Sequence, residues 1–252
     1  MSRPEKGAPS SPADLKRALV TGGSGEIGAA LCRRLAERYE VVVHSNRNFE
    51  DAQAVAREIV AAGGRASAVA FDLTDPAACR ACIDEILAAG TIQVLVNNAG
   101  IHDDAPFPGM SAGQWTRVID VSLNGFFNVT QPLSLPMIRT RWGRIISISS
   151  VAALAGNRGQ VNYAAAKSAL HGASKSLAIE LASRGITVNV VAPGIIASRM
   201  SEASFDSGAI ERMVPMKRAG TVEEVADLVD FLASDRAGYI TGQIISINGG
   251  ML

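Results

Sequence analysis

The sequence predicts a single α/β domain built on a doubly wound, seven-stranded parallel sheet with helices on both faces. Three observations carry that expectation. From Arg17 onward, short β-branched runs alternate with longer amphipathic stretches. The runs are continuously apolar, as in Val41-Val42-Val43 and Val94-Leu95-Val96, which marks strands covered on both sides rather than half-exposed ones. The chain of 252 residues is also comfortable for one large domain and short for two.

In order, strands are expected at Arg17–Thr21, Glu40–His44, Ser67–Phe71, Val94–Asn97, Arg144–Ser149, Thr187–Ala192 and Ile244–Ile247. Helical patterns lie between them at Ile27–Arg38, Asp51–Ala62, Pro76–Ala89, Ser111–Thr130, Tyr163–Ser183 and Thr221–Ala233. Residues 1–14, rich in Pro, Ser and charge, read as a flexible tail, which leaves 15–252 as the domain. Right-handed crossovers then place a ligand crevice at the carboxyl ends of the strands.

Composition narrows the classes. The chain is 48% hydrophobic and 19% charged, as a packed core requires. Lys+Arg and Asp+Glu are equal at 24 each, so no net field argues for nucleic acid or a membrane surface. No apolar run is long enough to span a bilayer, and none reads as a signal peptide. Three cysteines, Cys32, Cys79 and Cys82, suit a reducing compartment, hence an expected cytoplasmic location. Cys79 and Cys82 form a C-x-x-C, but on a helix with no second pair or nearby histidine. They read as half-buried helix residues rather than a redox or zinc site.

The first strand runs into Thr21-Gly22-Gly23-Ser24-Gly25-Glu26-Ile27-Gly28, which opens a helix. Glycines there permit a tight turn and let backbone amides approach a pyrophosphate, so Gly22, Ser24, Gly25, Ile27 and Gly28 are candidate dinucleotide ligands. The second strand ends in Ser45-Asn46-Arg47, with no acidic residue to take a ribose 2′-hydroxyl. Arg47 can pair with a 2′-phosphate, with Ser45 and Asn46 adding hydrogen bonds, so NADP(H) is favoured over NAD. Asp72 and Leu73 after the third strand face the adenine, Asp72 as partner for its amino group. Asn98, Ala99 and Gly100 close the fourth strand at the same edge.

Tyr163 and Lys167 are spaced i, i+4 and share one helix face. A nearby ammonium stabilises a phenolate and so lowers a tyrosine pKa toward the range a general acid/base needs. Ser150, ending a strand thirteen residues earlier, can hydrogen-bond a substrate carbonyl beside the tyrosine.

Thr21–Gly28, Asn97–Gly100, Ile148-Ser149-Ser150, Tyr163-Ala-Ala-Ala-Lys167, Val191-Ala-Pro193-Gly194 and Ile240–Gln243 with Asn248-Gly-Gly250 stand in one order and spacing. Together they resemble the short-chain dehydrogenase/reductases of Rossmann fold, and within them the 3-oxoacyl-acyl-carrier-protein reductases of fatty-acid synthesis. The resemblance runs from Leu15 to Leu252. It implies that Tyr163 gives a proton to a ketone oxygen, that Ser150 polarises the carbonyl, and that Lys167 binds the nicotinamide ribose. It also implies that Pro193, Gly194, Ile196 and Ser198 hold the nicotinamide carboxamide, and that Met200 to Pro215 form a mobile substrate lid.

Two positions depart from the family pattern. Glu26 stands where the family has a glycine, bringing a carboxylate close to the expected pyrophosphate. Ser122 stands where the family has an asparagine that holds a water for proton transfer to the lysine. Asn124 lies about 200° further round a helix, so it is no simple replacement. Ser122 is therefore expected to serve a perturbed relay.

The resemblance further implies an acyl carrier protein as partner, docking on Arg141 and Arg184, and a homotetramer with the small-residue Tyr163–Ser183 helix at an interface. His102 reads as a loop contact that can reach substrate, and Trp115 as a helix-packing residue. The leading expectation is an NADPH-dependent 3-oxoacyl thioester reductase, in fatty-acid synthesis or in a specialised acyl-chain or polyene pathway. The competing readings are a reductase of free ketones and a catalytically silent NADP(H)-binding sensor.

Overall fold

A computed structural model describes residues 15–198 and 207–252. The tail expected at 1–14 and the 200–206 part of the expected lid lie outside these residues.

Among the described residues the sheet has seven parallel strands: β1 (Arg17–Val20), β2 (Glu40–Ser45), β3 (Arg65–Ala70), β4 (Ile92–Asn97), β5 (Gly143–Ile148), β6 (Ile186–Pro193) and β7 (Ile244–Ile247). Their order is β3-β2-β1-β4-β5-β6-β7, so successive strands are added on one side of β1 up to β3 and on its other side from β4 onward. That change of side is the switch point at which a doubly wound sheet opens a crevice. The helices are α1 (Glu26–Leu35), α2 (Phe49–Ala61), α3 (Pro76–Ala88), α4 (Ala112–Ile119), α5 (Gly125–Thr140), α6 (Ala152–Ala155), α7 (Val161–Leu181), α8 (Ser207–Met213) and α9 (Val222–Ala233).

The side-chain alternation of the strands divides the core in two. Ala18, Val20, Val41, Val43, Val94, Val96 and Ile146 pack against α1, α2 and α9. Leu19, Val42, Leu95, Ile145 and Val188 face the other way, onto α3, α5 and α7. Helices cover both faces, so the central strands are apolar to either side along most of their length; β3, at the sheet edge, alternates in exposure.

The stretch expected as one helix at Ser111–Thr130 is broken and longer. Ser111 caps α4 with a capping box to Gln114, a π-helical turn follows at Asp120–Asn124, and α5 continues through Pro132 and Pro136 to Thr140. Each proline removes a helix hydrogen bond at a cost of about 3 kcal/mol. Fully buried Leu133 and Met137, about 1.5–3 kcal/mol apiece on the sheet, offset much of it. Trp115 is 39% exposed rather than packed between helices, since Val118 is the buried residue of α4. No helix among the described residues is long and apolar enough to cross a membrane.

Candidate active site

The glycine turn after β1 is set by close backbone contacts. Gly22 has φ +62°, and a Cβ at Gly28 would lie 2.1 Å from the Gly22 carbonyl oxygen. Only glycine fits there, so the turn folds back on the first coil of α1 and leaves a cradle in front of that helix. Thr21 Oγ1 accepts the amides of Asn98 (3.0 Å) and Ala99 (3.1 Å), while Asn98 Nδ2 donates to the carbonyls of Thr21 (3.0 Å) and Gly22 (3.1 Å). Asn98, expected as a ligand, thus braces the cradle from β4. A cradle that excludes side chains at a helix start fits a pyrophosphate. Ser24, Gly25 and Ile27 border it, Gly25 as the exposed residue preceding α1.

The ends of β2 and β3 differ from expectation in one respect. Asn46 and Arg47 are exposed, but Ser45 is 2% exposed and its hydroxyl has no partner. Ser45 therefore presents no phosphate ligand at the surface, because its side chain turns into the sheet. Asp72 is engaged by the amide and hydroxyl of Thr74 (2.9 and 2.7 Å), which hold its carboxyl below the ordinary carboxylate range. Leu73 is a core residue whose carbonyl accepts from Asn128 (2.8 Å).

On the other side of the switch point, β5 and α7 bring Ser150, Tyr163 and Lys167 together. Ser150 lies just beyond β5; its hydroxyl accepts the Ala152 amide (3.1 Å) and faces Tyr163 closely enough to favour the phenolate. Tyr163 sits in the first turn of α7, which begins at Val161 rather than at Tyr163 itself. The tyrosine pKa is raised, by burial first and slightly by Asp104, with Ser150 pulling it down. The lysine-driven lowering expected from spacing is not realised. Lys167 Nζ lies 5.8 Å from the ring centroid and donates instead to the Ile148 carbonyl (2.9 Å). Burial lowers Lys167 to about 8.

That shift has a measurable consequence. The unfolded chain holds this proton up to about 10.5 and the folded one only to about 8, so the unfolded state binds more protons in between. The unfolding free energy of the cofactor-free protein should therefore rise from pH 8 to 10.5 by about 3 kcal/mol from this group. Lys167→Met should remove that rise in denaturant titrations across the window. An unchanged slope would show that the ammonium is not buried.

Ser122 lies in the π turn, 3% exposed, with its hydroxyl unpartnered. It and Lys167 Nζ flank Gly100, whose Cβ would stand 2.8 Å from Nζ and 3.5 Å from the serine hydroxyl. A buried hydroxyl without a partner beside an ammonium is a place for a water. Asn124 points away, bonded to Asp120 on the exposed side (2.7 Å).

Sequence reasoning missed Asn162, which is fully buried. Its Nδ2 donates to the carbonyls of Asp103 (2.9 Å) and Gln114 (3.2 Å), and its Oδ1 accepts the Tyr163 amide (2.8 Å). It seats the tyrosine at the start of α7. Standing next to Tyr163 was the only signal. His102 is exposed and 3.2 Å from Asp104, which Gln160 also holds (2.8 Å).

Pro193 ends β6, and Gly194 packs so closely on Asn248 that a Cβ would lie 2.8 Å from its Cα. The segment after it is pinned by Gly220 to the carbonyl of Ile195 (2.9 Å) and by the Ala197 amide to Gly220 (2.8 Å), which leaves Ile196 buried and Ser198 at its end.

A family model described as enoyl-(acyl carrier protein) reductase matches residues 23–252. The chain belongs to the short-chain dehydrogenase/reductase family. Among the family's characterised members it is similar to the 3-oxoacyl-acyl-carrier-protein reductase FabG of Staphylococcus aureus strain N315, 45% identical over 240 residues, which covers 94% of this chain and 98% of that one. The reductase of the same name from Escherichia coli K12 is 44% identical over 239 residues, 94% of this chain and 97% of that one. Nodulation protein G of Azospirillum brasilense is 44% identical over 240 residues, with 94% and 98% coverage.

Both departures from the short-chain dehydrogenase/reductase pattern have places in the structure. Glu26 is the partly buried first residue of α1, at the helix end that favours a carboxylate. Ser122 is turned inward at the π turn, toward Lys167. Arg141 and Arg184 are neighbours, Arg141 donating to the Ser183 carbonyl (3.2 Å). They precede β5 and β6, at the amino edge of the sheet, so the structure does not bring them to Tyr163. Cys79 is buried with its thiol on the Asp72 carbonyl (3.4 Å), and burial pushes it up to about 11, as suits a packing residue.

Proposed function

We propose that the protein reduces a 3-oxoacyl thioester carried by acyl carrier protein to the 3-hydroxyacyl thioester, using NADPH. The observation that carries this reading is the convergence of Ser150 and Tyr163 at the carboxyl edge of the sheet, with the buried Lys167 ammonium bonded to Ile148 (2.9 Å) and the glycine cradle across the switch point. When bound, the reduced nicotinamide supplies hydride to the carbonyl carbon.

The chain's own residues do the rest. Ser150 donates a hydrogen bond to the carbonyl oxygen, orienting it and drawing off charge. Tyr163, kept in its neutral form by burial, is a competent acid and gives that oxygen its proton. Lys167 binds the ribose and restores the tyrosine's proton, and a water held by Ser122 refills the lysine. Asn46 and Arg47 take the 2′-phosphate, Asp72 the adenine amino group, and Pro193, Gly194, Ile196 and Ser198 the carboxamide. The enzyme works in the cytoplasm, where its three cysteines stay as thiols.

Purified protein should reduce acetoacetyl-acyl carrier protein with NADPH faster than acetoacetyl thioesters of small thiols, and much faster than free ketones. A preference for a free ketone, or for crotonyl-acyl carrier protein, would replace this reading with another reductase. NADPH binding with no turnover on any of them would make the protein a sensor.

Ser122→Ala should lower kcat several-fold and alter the pH profile of reduction, with NADPH affinity retained. An unchanged profile removes Ser122 from the relay.

Arg141 and Arg184 form the carrier-docking pair. Six-residue β5 separates that edge from Ser150 by about 20 Å, so the pair serves a neighbouring subunit of a homotetramer. Exposed Phe127, Leu135 and Ile179 on α5 and α7 supply apolar surface for the assembly. Reversing both arginines to Glu should raise KM for the carrier-bound substrate at least tenfold, leaving turnover of a small thioester unaffected. Equal effects on both substrates would reject docking.

A further inference from the structure

The structure assigns to His44 the positioning of the whole adenosine-phosphate half of the cleft. One imidazole ties together the ends of β1, β2 and β3, which carry the glycine cradle, the Asn46-Arg47 pair and Asp72. The residue is 1% exposed, and both ring nitrogens are used. Nδ1 stands 3.1 Å from the Gly22 amide nitrogen and accepts its hydrogen bond. Nε2 must then hold the ring proton, and it donates to the Phe71 carbonyl at 2.9 Å. The backbone adds a third tie, the Gly23 amide donating to the His44 carbonyl at 2.7 Å. Two consecutive amides of the cradle are therefore fixed to a single residue of β2.

The geometry suits a neutral ring alone. A protonated ring would point a donor at the Gly22 donor, and burial holds His44 down at about 4, so the acceptor is present at any working pH. The ring also lies against Phe71, centroids 4.3 Å apart, which fixes its plane. Gly22 takes its φ of +62° at no steric cost, and the tie restricts the wide backbone freedom that glycine otherwise has. Phe71 directly precedes Asp72, so the Nε2 bond places the β3 carboxylate in the same act. A hydrophobic residue at 44 would leave the Gly22 amide and the Phe71 carbonyl unpaired inside the sheet.

His44 is 1% exposed and acts through the backbone it holds, so its effect should fall on cofactor affinity. This inference rests on the dinucleotide reading of the cleft but not on any substrate. The test is equilibrium titration of purified protein with NADPH and with NADH, followed by nicotinamide fluorescence, together with KM and kcat. Asn and Gln substitutions separate the two ties, since an Asn oxygen sits where Nδ1 is and a Gln nitrogen where Nε2 is. His44→Gln and His44→Ala should raise the dissociation constant for NADPH about tenfold or more, the scale of one net hydrogen bond. His44→Asn should recover most of it, with the losses in KM for cofactor outweighing those in kcat. Unchanged affinity in His44→Gln, or losses in all three that follow melting temperature alone, would overturn the assignment. Should His44→Ala fail to fold, the Asn–Gln difference still decides. Wild-type binding of NADH but not NADPH would sink the 2′-phosphate reading and leave the His44 test intact. Wild-type binding of neither would overturn both.

Discussion

Tyr163→Phe should abolish more than 99% of ketone reduction, a loss on the order of 10²–10⁴ in kcat, while NADPH still binds with near wild-type affinity. The substitution removes one hydroxyl that faces Ser150, and leaves the ring, its seat on α7 and the Lys167–Ile148 contact in place. Folding should be barely affected, since the ring keeps its packing and Ser150 still accepts from Ala152 (3.1 Å). Stopped-flow reduction of acetoacetyl thioester beside a fluorescence titration of NADPH separates the two quantities. Turnover within tenfold of wild type would remove Tyr163 as the acid. Lost cofactor binding would mean that the residue's role is structural.

The second large effect belongs to Gly28. An Ala side chain there would place its Cβ 2.1 Å from the Gly22 carbonyl oxygen and 2.8 Å from the Gly23 Cα, both backbone atoms. Neither can rotate away, so the turn itself must open. Gly28→Ala should weaken NADPH binding by more than about 100-fold and lower the melting temperature, because displaced cradle amides lose both phosphate and internal partners. Gly25→Ala is the informative control. At Gly25 the nearest atom to a new Cβ is 3.5 Å away and the backbone is ordinary extended chain. It should fold normally, and any loss of NADPH affinity then measures how closely a phosphate passes that position. Equal, mild effects at both glycines would show that the cradle is not the phosphate site.

Much of the fold was legible because its signals are local. Continuous apolar runs, the glycine cluster behind the first of them and the i, i+4 Tyr163–Lys167 spacing are properties of a few adjacent residues. They hold whatever the rest of the chain does. The helix expected across 111–130 went astray where a local rule met a tertiary one. Proline reads as a stop, yet burial of Leu133 and Met137 on the sheet carries α5 past two of them.

Local patterns along the chain were enough for the parallel sheet and the place of the crevice, and they singled out Ser150, Tyr163 and Lys167 as candidates. Tertiary structure decided what each candidate side chain meets. It turned the Ser45 hydroxyl inward and made Asn98 a brace across 77 residues of chain to Thr21. It set burial above the lysine's charge at Tyr163 and put Arg141 and Arg184 at the far edge of the sheet. It also gave His44 three strand ends to hold. Periodicity and backbone conformation are paid for residue by residue along the chain, whereas burial, desolvation and hydrogen-bond partnership depend on which strands become neighbours. That adjacency exists only once the sheet has formed.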